Sequence, residues 1–456
     1  MQMASEVPEL IIRIGSHAEK EYLLKLAPFI DGVIVGANLF EAAPGATASL
    51  LLKIGGNNTK VFVDPMTYAF GQYTDPTTGK LRKDLDWIKS DQIRRDEQKR
   101  KKAVRDFKRS YRMLAEALGT PIAEAVRESR AIDTSDLSEP ETRQRFCQTV
   151  LEYQENRIAR EFENDEELRQ FIENVPRPSA VFAPYFYVEP HRTEALLEMD
   201  LKLMATAADL RPSVPVHGVL CADASHLEQP ELLKHLSDAI PRTGVTGIWL
   251  WFSRFHEESA SEEALEGYVE LITTLSKQME VFAMHGGFFS LVLSRLGMQG
   301  ISHGVGYGEQ KNVVPVIGQS TPTVRYYLPS LARRLGVPEI FRAFHALNIR
   351  TPRDFHEKVC ACAVCKGIVV SSLDEFAAFG DMHYSRPEAK RKGQTPAAAK
   401  RCRFHFLLSR LIERDSIRRS SIEDIIERLK LASGTWGNQP SLSTEHLDRW
   451  VKVLSP

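Results

Sequence analysis

Three cysteines fall within six positions, Cys360-Ala-Cys362-Ala-Val-Cys365, and His405 follows on a stretch that reads as a helix. An odd number of thiols crowded this closely leaves no sensible disulfide pairing. It suits a tetrahedral Zn2+, which takes thiolate and imidazole ligands, and Cys3His is one of its structural ligand sets. Four protein ligands leave no open position for water, so the expected role of such an ion is structural. Cys402 and His383 are the reserve donors for the fourth place.

The second group of chemically useful residues becomes visible only once the elements are laid out. Eight short apolar runs read as strands: Leu10–Ile14, Gly32–Val35, Lys60–Asp64, Ala180–Ala183, Val214–Leu220, Gly247–Phe252, Glu280–Met284 and Gly300–Ser302. Helical patterns separate most of them, including Ala18–Ala27, Arg192–Ala208 and Ser261–Met279. Apolar runs with little alternation suit strands covered on both faces of a parallel sheet. Eight such units argue for a (β/α)8 barrel. A doubly wound sheet is the alternative, but no Gly-x-Gly-x-x-Gly follows the first strand. A charged helical stretch at about 84–175 reads as an insertion, interrupted near Thr134 to Pro140. The expected division is a barrel over 1–337 and a zinc-binding helical subdomain over 338–456.

In a barrel the residues just after the strands form the active face. Those positions hold Asp64, Tyr185 to Glu189, Asp223, Arg254 with His256, His285-Gly286-Gly287, and His303. Two carboxylates there, Asp64 and Asp223, could do nucleophilic or acid/base work, with Glu189 in reserve. Each also has a plain structural reading: Asp64 starts a turn before Pro65, and Asp223 caps a helix near Ser225. Gly286 and Gly287 have no Cβ, which suits either a planar ligand lying close to the backbone or a tight turn.

Composition sets limits. With 43% hydrophobic and 26% charged residues, the chain is an ordinary globular one with room for a large core. No apolar run is long enough to cross a bilayer, and Met1 to Leu10 lacks a basic segment leading into an apolar one. Six cysteines with three clustered fit a reducing compartment, so a cytoplasmic location is expected. A net charge of -1 excludes a global attraction to nucleic acid, leaving local patches to supply it. One basic run spans Arg94 to Arg112; another spans Arg386 to Arg403 and includes Lys390, Arg391, Lys392 and Arg403. Such clusters neutralise phosphates without reading sequence. Tyr68, Tyr185, Phe186 and Tyr187 are candidate surfaces on which a base could stack.

A barrel followed by C-x-C-x-x-C and a helical histidine resembles the tRNA-guanine transglycosylase family, whose members exchange a guanine base for a 7-deazaguanine. The resemblance covers the barrel loosely and the zinc appendage closely, with thirty-nine residues separating Cys365 from His405, a longer span than usual. It implies Zn2+ on Cys360, Cys362, Cys365 and His405, and an acid/base aspartate at Asp64. The family's Asp-Ser-Gly-Gly-Phe-Gln motif is Asp64-Pro-Met-Thr-Tyr-Ala-Phe70 here, and Gly297–His303 carries no carboxylate where the family's nucleophile stands. Tyr307-Gly-Glu-Gln-Lys-Asn312 replaces the arginine and asparagine signatures of the tRNA enzymes. These differences resemble the divergent branch that inserts 7-deazaguanine into DNA within DNA-modification systems. The resemblance then implies Asp64 and Asp223 as the catalytic pair, and His285, Gly286, Gly287, His303 and Tyr185 around the base. It implies DNA rather than tRNA as the nucleic acid, a 7-deazaguanine as the second substrate, and partner proteins of such a system. A tRNA-directed relative and a non-catalytic nucleic-acid-binding subunit are the alternatives.

Overall fold

The computed structural model describes residues 7–55, 59–71, 110–128, 130–313, 323–384, 392–439 and 442–455. Nine parallel strands form one sheet: β1 Glu9–Ile14, β2 Gly32–Gly36, β3 Lys60–Asp64, β4 Val181–Phe182, β5 Tyr187–Val188, β6 Val216–Asp223, β7 Gly247–Ser253, β8 Glu280–Ala283 and β9 Gly300–Gly304. Their order, β3-β2-β1-β9-β8-β7-β6-β4 with β5 also on β6, is that of a nearly closed eight-stranded α/β barrel. β6 begins two residues later than the sequence pattern suggests, because Pro215 has no N–H for the ladder. It continues to Asp223 with every residue buried, so the carboxylate is part of the strand. The two-residue β5 has no signal of its own in sequence. It forms because Tyr187 and Val188 pair with Cys221 and Ala222 on that extension.

The seam lies between β3 and β4. There Ser179 N–H donates to the Val61 carbonyl at 2.9 Å, in place of a ladder among the described residues. The edge of β4 is covered by a side chain. Gln154, fully buried, accepts from Phe182 N–H at 2.7 Å and donates to the Phe182 carbonyl at 2.8 Å, as a neighbouring strand would. Gln154 projects from the helix Pro140–Asn164, which starts at a proline in its first turn and buries Phe146, Val150, Ile158 and Phe162. The expected insertion is thus described in part, and its helix closes the seam; 72–109 lies outside the described residues.

Aromatic rings fill the barrel near the N-terminal ends of its strands. Trp249 stacks on Phe282 with centroids 4.5 Å apart, and Phe62, Phe182 and His217 complete the plug. Trp249 Nε1 donates to His217 Nδ1 at 3.0 Å, so the plug buries no unpaired indole N–H. With rings filling that end, the opposite mouth is where Asp64 and Asp223 stand, at the C-terminal ends of β3 and β6.

After β9 the chain forms the hairpin β10 Tyr326–Leu328 with β11 Arg333–Leu335, then helices, a second hairpin of β12 Met382–Tyr384 with β13 Lys392–Gln394, and three longer helices. The helix bearing His405 runs from Pro396 to Arg418. Thr395 Oγ1 caps Ala398 N–H at 3.1 Å, Pro396 takes the first turn, and Ala397 to Ala399 favour helix. Of the basic run from Arg386 to Arg403, Lys392–Gln394 is therefore strand and the part from Pro396 onward is helix. Barrel and appendage share one continuous apolar core. Among the described residues no helix is long and apolar enough to cross a membrane.

Candidate active site and metal centre

Arg13 stands in β1 among the buried apolar residues Leu10, Ile11, Ile12 and Ile14, and its partner explains it. Arg13 forms an ion pair with Oδ2 of Asp64, at the end of β3. The other oxygen of Asp64 accepts from the Tyr185 hydroxyl at 2.8 Å and from Met66 N–H at 2.9 Å. Asp64 is fully buried and Arg13 is 11% exposed. Burial raises the Tyr185 phenol well above its usual range, and the carboxylate beside it adds to this, so the hydroxyl stays a donor. Both oxygens of Asp64 are used as acceptors by groups aimed at them from β1 and from the segment after β4.

A second set of the same parts stands at the end of β6. Asp223 accepts from the Tyr187 hydroxyl at 2.8 Å and from Arg254, whose Nε and Nη2 lie 2.8 and 2.5 Å from its two oxygens. It also caps Ser225 N–H at 3.1 Å and takes the Ser225 hydroxyl at 2.8 Å, which bears out the capping reading. Burial by itself would raise this carboxyl, but the Arg254 fork and the Ser225 and Tyr187 bonds hold it below the usual range. Arg254 holds left-handed backbone (φ 67°), with its N–H on Asn312 Oδ1 at 3.0 Å.

The two sets are joined. Tyr185 and Tyr187 alternate along one segment, and the Phe186 amide between them donates to both oxygens of Asp200, at 3.0 and 3.2 Å. The fold therefore brings Asp64 and Asp223 to one end of the barrel and links them through neighbouring tyrosines. Glu189, the reserve carboxylate, is buried beside His191 at 2.9 Å.

Around Asp64 the mouth is aromatic. Tyr68 lies on Tyr185 (5.6 Å, 25°) and edge-on to Trp251 (4.8 Å), and His285 lies 4.9 Å from Trp251. Lys311 donates to the Tyr68 hydroxyl at 3.0 Å and rests 5.1 Å from the Trp251 ring. His285 Nδ1 must donate to the Gly308 carbonyl at 3.1 Å, which leaves Nε2 with its lone pair. Burial, with Arg13 and Lys311 nearby, drives His285 well below its usual value and keeps it neutral.

The two glycines after His285 serve the turn. A Cβ on Gly287 would come within 2.4 Å of Glu257, whose carboxylate accepts from the N–H groups of Gly287, Phe289 and Ser290 at the start of the next helix. His303 is placed elsewhere. It packs against Phe406 at 5.0 Å, beneath the helix that carries His405, and does not join Asp64.

Cys360, Cys362, Cys365 and His405 converge, all buried, with their ligand atoms within 4.8 Å of one another. His405 Nδ1 faces the three sulfurs at 3.7, 3.4 and 3.4 Å. Its Nε2 donates to the Tyr327 carbonyl at 2.6 Å, which fixes the tautomer with the Nδ1 lone pair toward the thiols. The N–H groups of Cys362 and Cys365 donate to the Sγ atoms of Cys360 and Cys362, each at 3.4 Å, and the Tyr326 hydroxyl lies 3.3 Å from Cys365 Sγ. This donor set could bind a metal ion. Cys402 is engaged elsewhere, with its thiol on the Phe379 carbonyl at 3.3 Å, and His383 is exposed on β12.

Of the basic residues, Arg403 packs its stem and Nε against Gly306 and lies 5.8 Å from the Tyr22 ring. Lys392 opens β13, while Lys390 and Arg391 lie outside the described residues, as does 94–109. Arg13, Trp251 and Lys311 were not singled out as site residues in sequence, and Tyr187 was named as a stacking surface rather than as a partner of Asp223. A charge within the apolar run Leu10 to Ile14 was the available signal for Arg13; Lys311 sits in a loop with none. Neither protein-family models nor curated proteins give any match to this chain.

Proposed function

We propose that the barrel mouth is the active site of a transglycosylase that exchanges guanine for a 7-deazaguanine in DNA. The observation that carries this reading is the pair of tyrosine-linked aspartates, Asp64 and Asp223, at one end of an α/β barrel lined with aromatic rings. One carboxylate attacks the sugar C1′ as the C1′–N9 bond breaks, its electron pair leaving with the guanine. The other group of the pair delivers a proton to the leaving base and removes one from the incoming base. Tyr68, Trp251 and His285 offer flat surfaces for a base, which must first be flipped out or presented single-stranded. The Cys3His donors fit zinc, held with no position left for substrate, so the ion's part is to fold the appendage.

The test is exchange of labelled guanine out of matched DNA and tRNA by the purified protein. The expected outcome is release from DNA, abolished in Asp64→Asn with fold and metal content intact, because an amide neither attacks C1′ nor transfers the proton. Release from tRNA alone would replace the substrate, and undiminished exchange in Asp64→Asn would remove this residue from the chemistry. One observation favours a second reading, a non-catalytic nucleic-acid-binding subunit: arginines already occupy both carboxylates. No exchange on either nucleic acid, with binding retained, would select it.

A further inference from the structure

The segment after β9 touches two distant things at once. On its mouth side, the Gly308 carbonyl takes the His285 ring, the Lys311 carbonyl takes Trp251 Nε1 at 2.8 Å, and Lys311 Nζ reaches Tyr68. Asn312 holds the Arg254 amide, and Val313 N–H donates to Ser253 Oγ at 3.1 Å. On its outer side, Glu309 bridges two arginines of the appendage, Arg334 Nε at 3.0 Å and Arg410.

Those arginines lead back to the Cys3His cluster. Arg410, fully buried, also pairs with Glu413 at 2.7 Å, and Glu413 accepts from the Tyr327 hydroxyl at 2.8 Å. The carbonyl of that same Tyr327 takes the His405 Nε2 proton. His405, Arg410 and Glu413 share one helix, and Arg334 lies flat on Phe406 of that helix, 3.7 Å from its centroid. Burial would raise Glu309, yet the two arginines push it down to about 2, so a full negative charge sits between them.

We propose that Glu309 is a positioning residue that transmits the state of the Cys360–Cys362–Cys365–His405 cluster to the barrel mouth, through Arg410 and Arg334, by holding the 304–313 segment against Trp251 and Tyr68. The cluster's integrity then sets where Lys311 and the Arg254 amide lie. This rests on the reading of the cluster as a metal centre. It does not depend on which reaction the mouth performs.

The experiment is 19F NMR of the full chain carrying fluorotryptophan, with Trp251 assigned by Trp251→Phe and Trp249 in the aromatic plug as internal control. Metal content is measured on every sample. In wild-type protein, removal of the metal by a chelator should shift the Trp251 resonance and leave Trp249 in place. In Glu309→Ala, Trp251 should already stand shifted with metal still bound, and chelation should move it no further. Arg334→Gln should behave likewise and serves if Glu309→Ala does not fold. An unmoved Trp251 on chelation, an equal movement in wild type and variant, or movement of Trp249 in step would overturn the proposal. Metal analysis finding no ion in purified protein would remove the metal reading itself.

Discussion

The mouth holds the same three parts twice, a tyrosine hydroxyl, an aspartate and an arginine, in opposite surroundings. The Arg13–Asp64–Tyr185 set is nearly sealed, with Asp64 and Tyr185 fully buried and Arg13, from inside the barrel, only 11% exposed. In the Arg254–Asp223–Tyr187 set the aspartate is equally buried, but its arginine is 63% exposed and enters from the rim on left-handed backbone. An ion pair sealed from water is costly to break, because the partner left behind has no solvent to turn to. A pair with one arm in water can open and be re-solvated. The first set therefore belongs to the fold as much as to any chemistry, whereas the second can open and free its arginine to pair with another anion.

The largest expected difference follows from that contrast. Arg13→Met, of similar length and apolar, should destabilise the protein by about 3–5 kcal/mol, since it strands the Asp64 charge in the core. Arg254→Gln should cost about 1 kcal/mol or less, because water replaces an exposed fork. Denaturant midpoints read at constant m-value measure both. Comparable losses would mean that the rim arginine is as structural as the buried one, and the contrast would fail.

The tyrosines sharpen the same comparison at smaller scale. Tyr185→Phe leaves Asp64 Oδ1 with the Met66 amide as its one remaining hydrogen bond among the described contacts, at a cost of about 1–3 kcal/mol. Tyr187→Phe leaves Asp223 still held by Arg254 and Ser225, and should cost no more than about 1 kcal/mol. The ratio of the two, again from denaturant midpoints, is the quantity to measure; a larger effect at Tyr187 would invert the assignment.

The barrel was legible because its strands are apolar runs of strand length with helical patterns between them. The Cys3His cluster was legible because three of its four members fall within six positions of the chain. The mouth was legible only in part. Asp64 and Asp223 follow from the rule that polar groups gather at strand ends, but what surrounds them comes from elsewhere: Arg13, on Asp64, from two strands away, and Lys311, on Tyr68 and Trp251, from a loop. Nothing local marks a residue whose role is set by what lies across a barrel. His303 shows the converse. Its position at a strand end matched the rule, yet it packs outward under Phe406, because side chains on β9 alternate and only one face looks into the barrel. Likewise, the glycine pair after His285 fits either a bound plane or a turn by sequence. It is Glu257, some thirty residues earlier, that supplies the reason for the turn.

The smallest expected effect concerns pH. The folded state holds the Asp223 carboxyl below its ordinary range, through Arg254, Ser225 and Tyr187 acting against burial. A group whose value is lowered on folding stabilises the protein above its unfolded value, about 3.9 for an aspartate, and loses that contribution as pH falls through the folded value. The stability of wild-type protein should therefore decline on the acid side of about pH 4, with Asp223 supplying part of the slope. Asp223→Asn should flatten that part of the limb while its stability near neutrality falls, since an amide accepts the Arg254 fork less well than a carboxylate. Arg254→Gln should flatten it less, because the Ser225 and Tyr187 bonds remain. Denaturation midpoints taken between about pH 3 and 7 separate the two, and an acid limb unchanged in Asp223→Asn would show that the rim aspartate contributes nothing to it.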